Sequence, residues 1–169
     1  IKTQLLEGDI MITKEIFYDK MKVNKKKYPA TFNQEKYDEL VAYAPDVKDD
    51  PKADLEMSHL IGDAFYRTGK YDEAVPFLEE YNAKSATTRD EDYQLGFAYF
   101  KSGQYMKAVK MFDKVARTRD LLGQTALYHI GECYMKVEEY LYARNAFDLA
   151  AAMHFDEEIS ELKAEIKTL

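Results

Sequence analysis

The sequence has no tryptophan, one cysteine, four prolines and seven glycines in 169 residues. A single cysteine cannot close an internal disulfide, so the stapled framework of small secreted domains is excluded. At this length the chain can bury a core without help from metal or disulfide. An apolar run near 18 residues is also missing, which excludes a membrane-spanning helix. Basic charge is scarce: 24 Lys and Arg stand against 31 Asp and Glu, a net charge of −7, and the pI is near 5.1. Nucleic acid is therefore not the expected partner, because meeting phosphates takes a basic stripe. The chain begins at Ile1 and shows no basic-then-apolar leader, so a processed or partial chain is expected.

What is abundant is aromatic: 14 Tyr and 9 Phe. The tyrosines expose a repeat. Lys70-Tyr71-Asp72-Glu73-Ala74 returns as Gln104-Tyr105-Met106-Lys107-Ala108 and as Glu139-Tyr140-Leu141-Tyr142-Ala143, and Lys36-Tyr37-Asp38-Glu39-Leu40 precedes them. The steps from tyrosine to tyrosine are 34, 34 and 35 residues. Gly62, Gly96 and Gly131 keep the same phase, and so do Gly69 and Gly103. A fixed period in this range marks a stacked array of small supersecondary units.

Each unit reads as two antiparallel helices. In the best copy Asp90 is the expected cap, with Glu91 and Asp92 in a first turn where negative charge suits the helix dipole. Leu95 and Tyr99 then recur at helical spacing. Ser102-Gly103 ends that helix, since glycine accepts the left-handed conformation at a helix end. Ala108, Val109, Phe112, Val115 and Ala116 form the apolar stripe of a second helix. Three mid-helix glycines, each costing about 1 kcal/mol against alanine, imply close helix approach. Ala74, Ala108 and Ala143 are the expected small residues opposite them. Asp156, with Glu157 and Glu158 behind it, starts another helix striped by Ile159, Leu162 and Ile166.

No catalytic constellation is present. His129 and Cys133 stand four apart and could begin a zinc site, but no second pair completes one, so no metal is expected. The expected alternative is a half-exposed His129 and a buried, inert Cys133 thiol. Asp49-Asp50, Glu79-Glu80 and Glu157-Glu158 read as solvated faces and helix starts. Phosphate-binding loops, dinucleotide glycine patterns and HExxH are absent. No enzyme activity and no cofactor are expected.

The repeat resembles the tetratricopeptide (TPR) family, which places a bulky residue, Gly and an aromatic in helix A, then Ala and Phe in helix B. Here these are Ile61-Gly62, Phe65, Ala74 and Leu78; Leu95-Gly96, Tyr99, Ala108 and Phe112; and Ile130-Gly131, Tyr134, Ala143, Phe147 and Ala150. The resemblance covers about residues 54–155, and Glu138 departs from it by replacing the turn glycine. It implies an all-α, TPR-type helix-turn-helix solenoid, a right-handed superhelix. The expected organisation is an N-terminal, partly helical degenerate segment (1–33), a half-repeat and linker (34–53), repeats at 54–88, 89–123 and 124–155, and a capping helix (156–169).

The resemblance also implies protein–protein interaction through a concave groove lined by the A helices. Carried over position by position, the candidate groove residues are Tyr66, Arg67, Tyr93, Phe97, Phe100, Lys101, Tyr128, Glu132 and Met135. They either face an open groove or are covered by further helices. The implied partner is a protein or peptide, apolar with basic flanks. Chaperone-docking members clamp a C-terminal carboxylate with cationic and amide groups. The matching positions here hold His59, Asp63, Gln94, Thr125 and His129, and Asp63 would repel such a ligand, so that role is not expected. A fainter similarity, to long repeat proteins of bacterial cell envelopes, implies an envelope or periplasmic setting. It also raises the alternative of a structural spacer within a larger array.

Overall fold

The computed structural model of the chain describes residues 55–161 continuously, together with Tyr37, Val41, Ala42, Ala44 and Pro45. The expected segment 1–33, most of the half-repeat at 34–53 and the end of the capping helix lie outside the described residues. Residues 55–161 form seven helices and no strand: α1 (Leu55–Arg67), α2 (Tyr71–Lys84), α3 (Arg89–Lys101), α4 (Tyr105–Ala116), α5 (Leu121–Lys136), α6 (Tyr140–Ala151) and α7 (Glu157–Ser160). Consecutive helices pack on one another as pairs α1–α2, α3–α4 and α5–α6, joined by three-residue turns. Such short connections force the two helices of a pair to run antiparallel.

All three turns have the same hydrogen bonds. The amides of Lys70, Gln104 and Glu139 donate to the carbonyls of Phe65, Tyr99 and Tyr134, each at 2.9 Å. This is the Schellman closure, which needs one left-handed residue. Gly69 (φ 78°) and Gly103 (φ 77°) supply it freely, whereas the third turn puts Glu138 there at φ 62°.

The phased helix glycines are sites of close approach. A Cβ on Gly131 would lie 2.5 Å from the Phe147 ring, and one on Gly96 3.1 Å from Phe112. On Gly62 it would meet Leu78 at 2.8 Å. The large helix-B residues, rather than Ala74, Ala108 and Ala143, are thus the nearest atoms. The alanines are fully buried elsewhere in the same interface. Leu78, Phe112 and Phe147 sit in the space the glycines leave.

Helix starts are set by side-chain caps. Thr88, not Asp90, caps α3: its hydroxyl accepts from the Glu91 amide, and Glu91 accepts from the Thr88 amide in return. Thr88-x-x-Glu91 is the capping-box pattern, which overrides the aspartate two residues later. Asp120 caps α5 by accepting from Gly123 N at 2.8 Å, and Asp156 caps α7 through Ile159 N.

The pairs are tied to one another by polar contacts. The Arg89 guanidinium, at the start of α3, donates to both Asp120 carboxylate oxygens (2.6 and 2.9 Å) and to the Val115 carbonyl (2.7 Å). Asn82 at the end of α2 donates to Asp92 on α3 at 3.0 Å, and Thr87 donates to the same carboxylate oxygen at 2.6 Å. The main core runs from Tyr37 and Ala44 through α1–α5 to Ala146, and a smaller one holds Tyr128, Ala150, Ala151 and Ile159.

Candidate functional site

The expected groove residues lie on α1, α3 and α5, the first helix of each pair, and most of them meet. Phe97 is the hub. Its ring centroid lies 5.9 Å from Tyr66, 5.8 Å from Tyr71, 6.1 Å from Phe100 and 5.4 Å from His129. Tyr93 stacks beside it at 6.4 Å, and Tyr128 joins through His129 at 5.7 Å. The cluster therefore runs unbroken from α1 to α5.

Its exposure differs from residue to residue. Tyr93 and Phe97 are only 1% exposed, and Tyr66 and Tyr128 are buried too. Phe100, Arg67, Glu132 and Met135 are half-buried, and Lys101 is exposed, with its ammonium 5.4 Å from the Phe97 ring. Phe100, Lys101, Glu132 and Met135 thus form the accessible rim, with the other aromatics beneath.

Polar groups are interleaved with the rings. His129 is buried rather than half-exposed, and it is fixed at both nitrogens. Nδ1 lies 2.8 Å from the Glu132 carboxylate and Nε2 3.0 Å from the Tyr93 hydroxyl. A carboxylate only accepts, so Nδ1 carries the proton and Nε2 accepts from Tyr93 in the neutral ring. His129 also stacks on Phe112 at 5.3 Å. Burial follows from this fit: the imidazole is fully hydrogen-bonded and its faces lie on rings.

Asp63 lies fully buried on α1. It accepts from Arg67 Nε at 2.8 Å on one oxygen and from Gln94 Nε2 on the other. Burial pushes its pKa up to about 6, against the lowering effects of Arg67 and Gln94. Arg67 in turn places its guanidinium 5.5 Å from the Tyr37 ring. These partners are internal, so Asp63 serves the fold rather than a ligand's carboxylate. His59 packs tilted against the Tyr81 ring at 4.3 Å and lies 3.5 Å from Glu91.

Cys133 is completely buried, and desolvation with the Glu132 charge beside it pushes its thiol up to about 12. A thiol held protonated is neither nucleophile nor metal ligand. Among the described residues, no group of three or more His, Cys, Asp or Glu could hold a metal ion. No helix of the described residues is long and apolar enough to cross a membrane.

Sequence reasoning missed Tyr71 as a participant: it opens a second helix, and its place on the repeat beat was the signal for it. Gln94 and His129 were placed among the groove positions, but not their bonds to Asp63 and to Tyr93.

Comparison with known proteins agrees with this architecture. The family model for "Anaphase-promoting complex, cyclosome, subunit 3" matches residues 67–150, a little under half of the chain. No curated protein matches. Among solved structures, MamA AMB-1 superposes with a TM-score of 0.63 at 19% identity, covering 92% of this chain and 81% of that one. MamA MSR-1 does so at 0.59 and 22% identity, covering 85% and 78%. A Podosopora anserina kinesin light chain of nearly identical TPR-like repeats gives 0.52 at 18% identity, covering 90% of each chain. By its helix pairs, its turn chemistry and these neighbours, the chain has a TPR-like helical-repeat fold, a fold typical of protein–protein interaction modules.

Proposed function

We propose that this chain is a non-catalytic protein–protein interaction module that holds a peptide or helix on the face formed by α1, α3 and α5. The observation that supports it is the aromatic cluster from Tyr66 to Tyr128, which ends in an accessible rim of Phe100, Lys101, Glu132 and Met135. Aromatic anchors surrounded by charge are the usual carriers of binding energy at such surfaces. The excess of carboxylates suits an apolar partner with basic flanks.

The test is affinity capture with mass spectrometry, comparing wild type with a Phe100→Ala, Lys101→Glu double variant of unchanged helical content. Recovery of the specific partner should fall at least tenfold. Equal recovery would sink the assignment to this face.

A spacer within a longer multi-repeat envelope protein is the second reading, and one observation favours it. Tyr71 and Tyr105 open α2 and α4 half-buried, whereas the in-phase Tyr140 on α6 is 50% exposed. A further helix pair would cover Tyr140 as Phe97 of α3, the first helix of the next pair, covers Tyr71.

A further inference from the structure

The second helices of the three pairs differ in what they show to solvent. Helix α2 carries Asp72, Glu73, Glu79 and Glu80 against Lys84. From Tyr105 to its C-cap Arg117, α4 carries Lys107, Lys110, Lys114 and Arg117 against Asp113. Helix α6 has Arg144 and Asp148 as its charges, and exposes Leu141, Tyr142 and Leu149. Among the described residues, every exposed large apolar side chain lies between Met106 and Phe155, and none lies on α1, α2 or α3.

The seam between α2 and α4 is closed by polar ties. Asn82 donates to Asp92 at 3.0 Å, and the Tyr99 hydroxyl donates to Glu79 at 2.6 Å. The Lys107 ammonium lies 4.0 Å from Glu79 and 5.7 Å from the Tyr99 ring. One repeat later, the seam between α4 and α6 has apolar residues at these positions. By the repeat steps of 34 and 35 residues, Ala116 stands for Asn82, Leu127 for Asp92 and Tyr142 for Lys107. Tyr134 stands for Tyr99, and its ring lies 5.3 Å from that of Tyr142. Burial, with Tyr142 and Asp113 of α4 close by, holds its hydroxyl above the usual tyrosine range. Tyr134 therefore lies between the two second helices and floors the seam. Ala116, Leu127 and Tyr134 are half-buried, whereas Tyr142 is 56% and Leu149 58% exposed. Leu149 follows Tyr142 by two helical turns, so both stand on the same side of α6. The result is an apolar groove open to solvent.

We propose that this groove between α4 and α6 is a second docking site, and that its occupant is an acidic amphipathic helix of a partner protein. The site is independent of the face formed by α1, α3 and α5. A helix seats in such a groove through apolar anchors spaced i, i+3 or i+4, and i+7. The charge of the wall chooses among helices. Exposed Lys110 and Arg117 edge the groove on α4, and the acid between them, Asp113, is 3.6 Å from Arg117. Exposed Glu138 stands at the other end, before α6. Carboxylates on the occupant meet the basic wall, and a basic helix is repelled by it. A further repeat does not fill this place. It would stack beyond α6, as α5 and α6 stack beyond α4, and the seam would stay open to the outside.

The experiment selects binders from a displayed library of helix-forming peptides on the full chain, then measures synthetic copies in solution. The enriched peptides should be acidic with helically spaced apolar residues. They should bind wild type at least tenfold tighter than a Tyr142→Lys, Leu149→Lys variant, and more weakly as salt rises. A Lys110→Glu, Arg117→Glu variant, altered only at exposed sites, should lose affinity at least threefold, with the circular dichroism of both variants unchanged. Enriched peptides that are basic, or that depend on Phe100 and Lys101 instead, would overturn the proposal. So would peptides that bind all variants equally. Two other occupants are tested directly. Light scattering of the chain alone should return 19.7 kDa, and a doubled mass abolished by Tyr142→Lys, Leu149→Lys would give the groove to a second copy. Flotation with phosphatidylcholine–phosphatidylserine vesicles should leave the chain unbound, and flotation abolished by the same variant would give the groove to a lipid surface.

Discussion

Gln124 and Asp156 clasp each other across 32 residues: the Asp156 amide donates to Gln124 Oε1 at 2.7 Å. The amide nitrogen of the same side chain donates to the carbonyls of Met153 (2.6 Å) and Ala150 (3.0 Å). One fully buried carboxamide therefore satisfies the end of α6 and the start of α7, where helix termini leave backbone groups without helical partners. Gln124→Leu keeps the volume and removes every one of these bonds. It should destabilise the chain by about 2–4 kcal/mol, measured as a lower midpoint in urea denaturation. An unchanged midpoint would show that the carbonyls find other partners.

Gly131→Ala should destabilise although alanine is the better helix former. The new methyl would lie 2.5 Å from Phe147, and overpacking of this kind costs about 1–3 kcal/mol. Gly96→Ala, with its nearest contact at 3.1 Å, should cost less. Pairing Gly131→Ala with Phe147→Leu should recover part of the loss. Thermal melts giving the reverse order would reject the close-approach explanation.

Glu138→Gly should stabilise. The glutamate stands at φ 62°, where a residue with a Cβ is disfavoured by about 1–2 kcal/mol and glycine is not. Glu138 is exposed, so little packing is lost. A melting temperature several degrees higher is expected, and no increase would mean the strain is offset locally.

Asp63 makes a pH prediction of definite sign. Its folded pKa, about 6, lies above the 3.8 of the free side chain, so the protonated form is the one favoured by folding. Its contribution is fully present below about pH 3.8 and is lost as pH rises through about 6, up to about 3 kcal/mol. Asp120 works the other way: Arg89 lowers its pKa, so its contribution is lost as pH falls. The measurement is the difference in pH profile between wild type and Asp63→Asn. The Asn variant should gain stability relative to wild type as pH rises from 4 to 7, and parallel profiles would contradict the assignment.

Arg89 and Asp120 form a two-pronged ion pair between the starts of α3 and α5, and both remain partly exposed. A double-mutant cycle of Arg89→Ala and Asp120→Ala should return a coupling of about 1 kcal/mol. Asp120→Ala alone should cost more than that coupling, because it also uncaps α5.

The repeat and its glycines were legible in the sequence because a period of 34 residues acts on many positions at once. The left-handed turns followed from Gly69 and Gly103, and even the departure at Glu138 was visible as a residue out of pattern. The cap of α3 was legible as Thr88-x-x-Glu91 but was hidden by the acidic run behind it. Burial of the groove aromatics was not legible. A position on the concave side says which way Tyr93 and Phe97 point, and nothing about what lies over them. His129 was misjudged as half-exposed because, although Glu132 stands three residues on along the same helix, its second bonding partner, Tyr93, comes from α3, which only the fold brings alongside. Gln124 gave no signal, since its bonds go to backbone groups and not to a matching side chain.

The chain's single sulfhydryl sits at Cys133, fully buried and with its pKa pushed up to about 12. A thiol in that state does not react with alkylating agents until α5 separates from its neighbours. The rate at which an added reagent modifies native protein is thus a built-in clock for opening of the repeat stack. Because there is only one such group, the signal belongs to one helix, and every stability change proposed above can be timed on it without adding a probe.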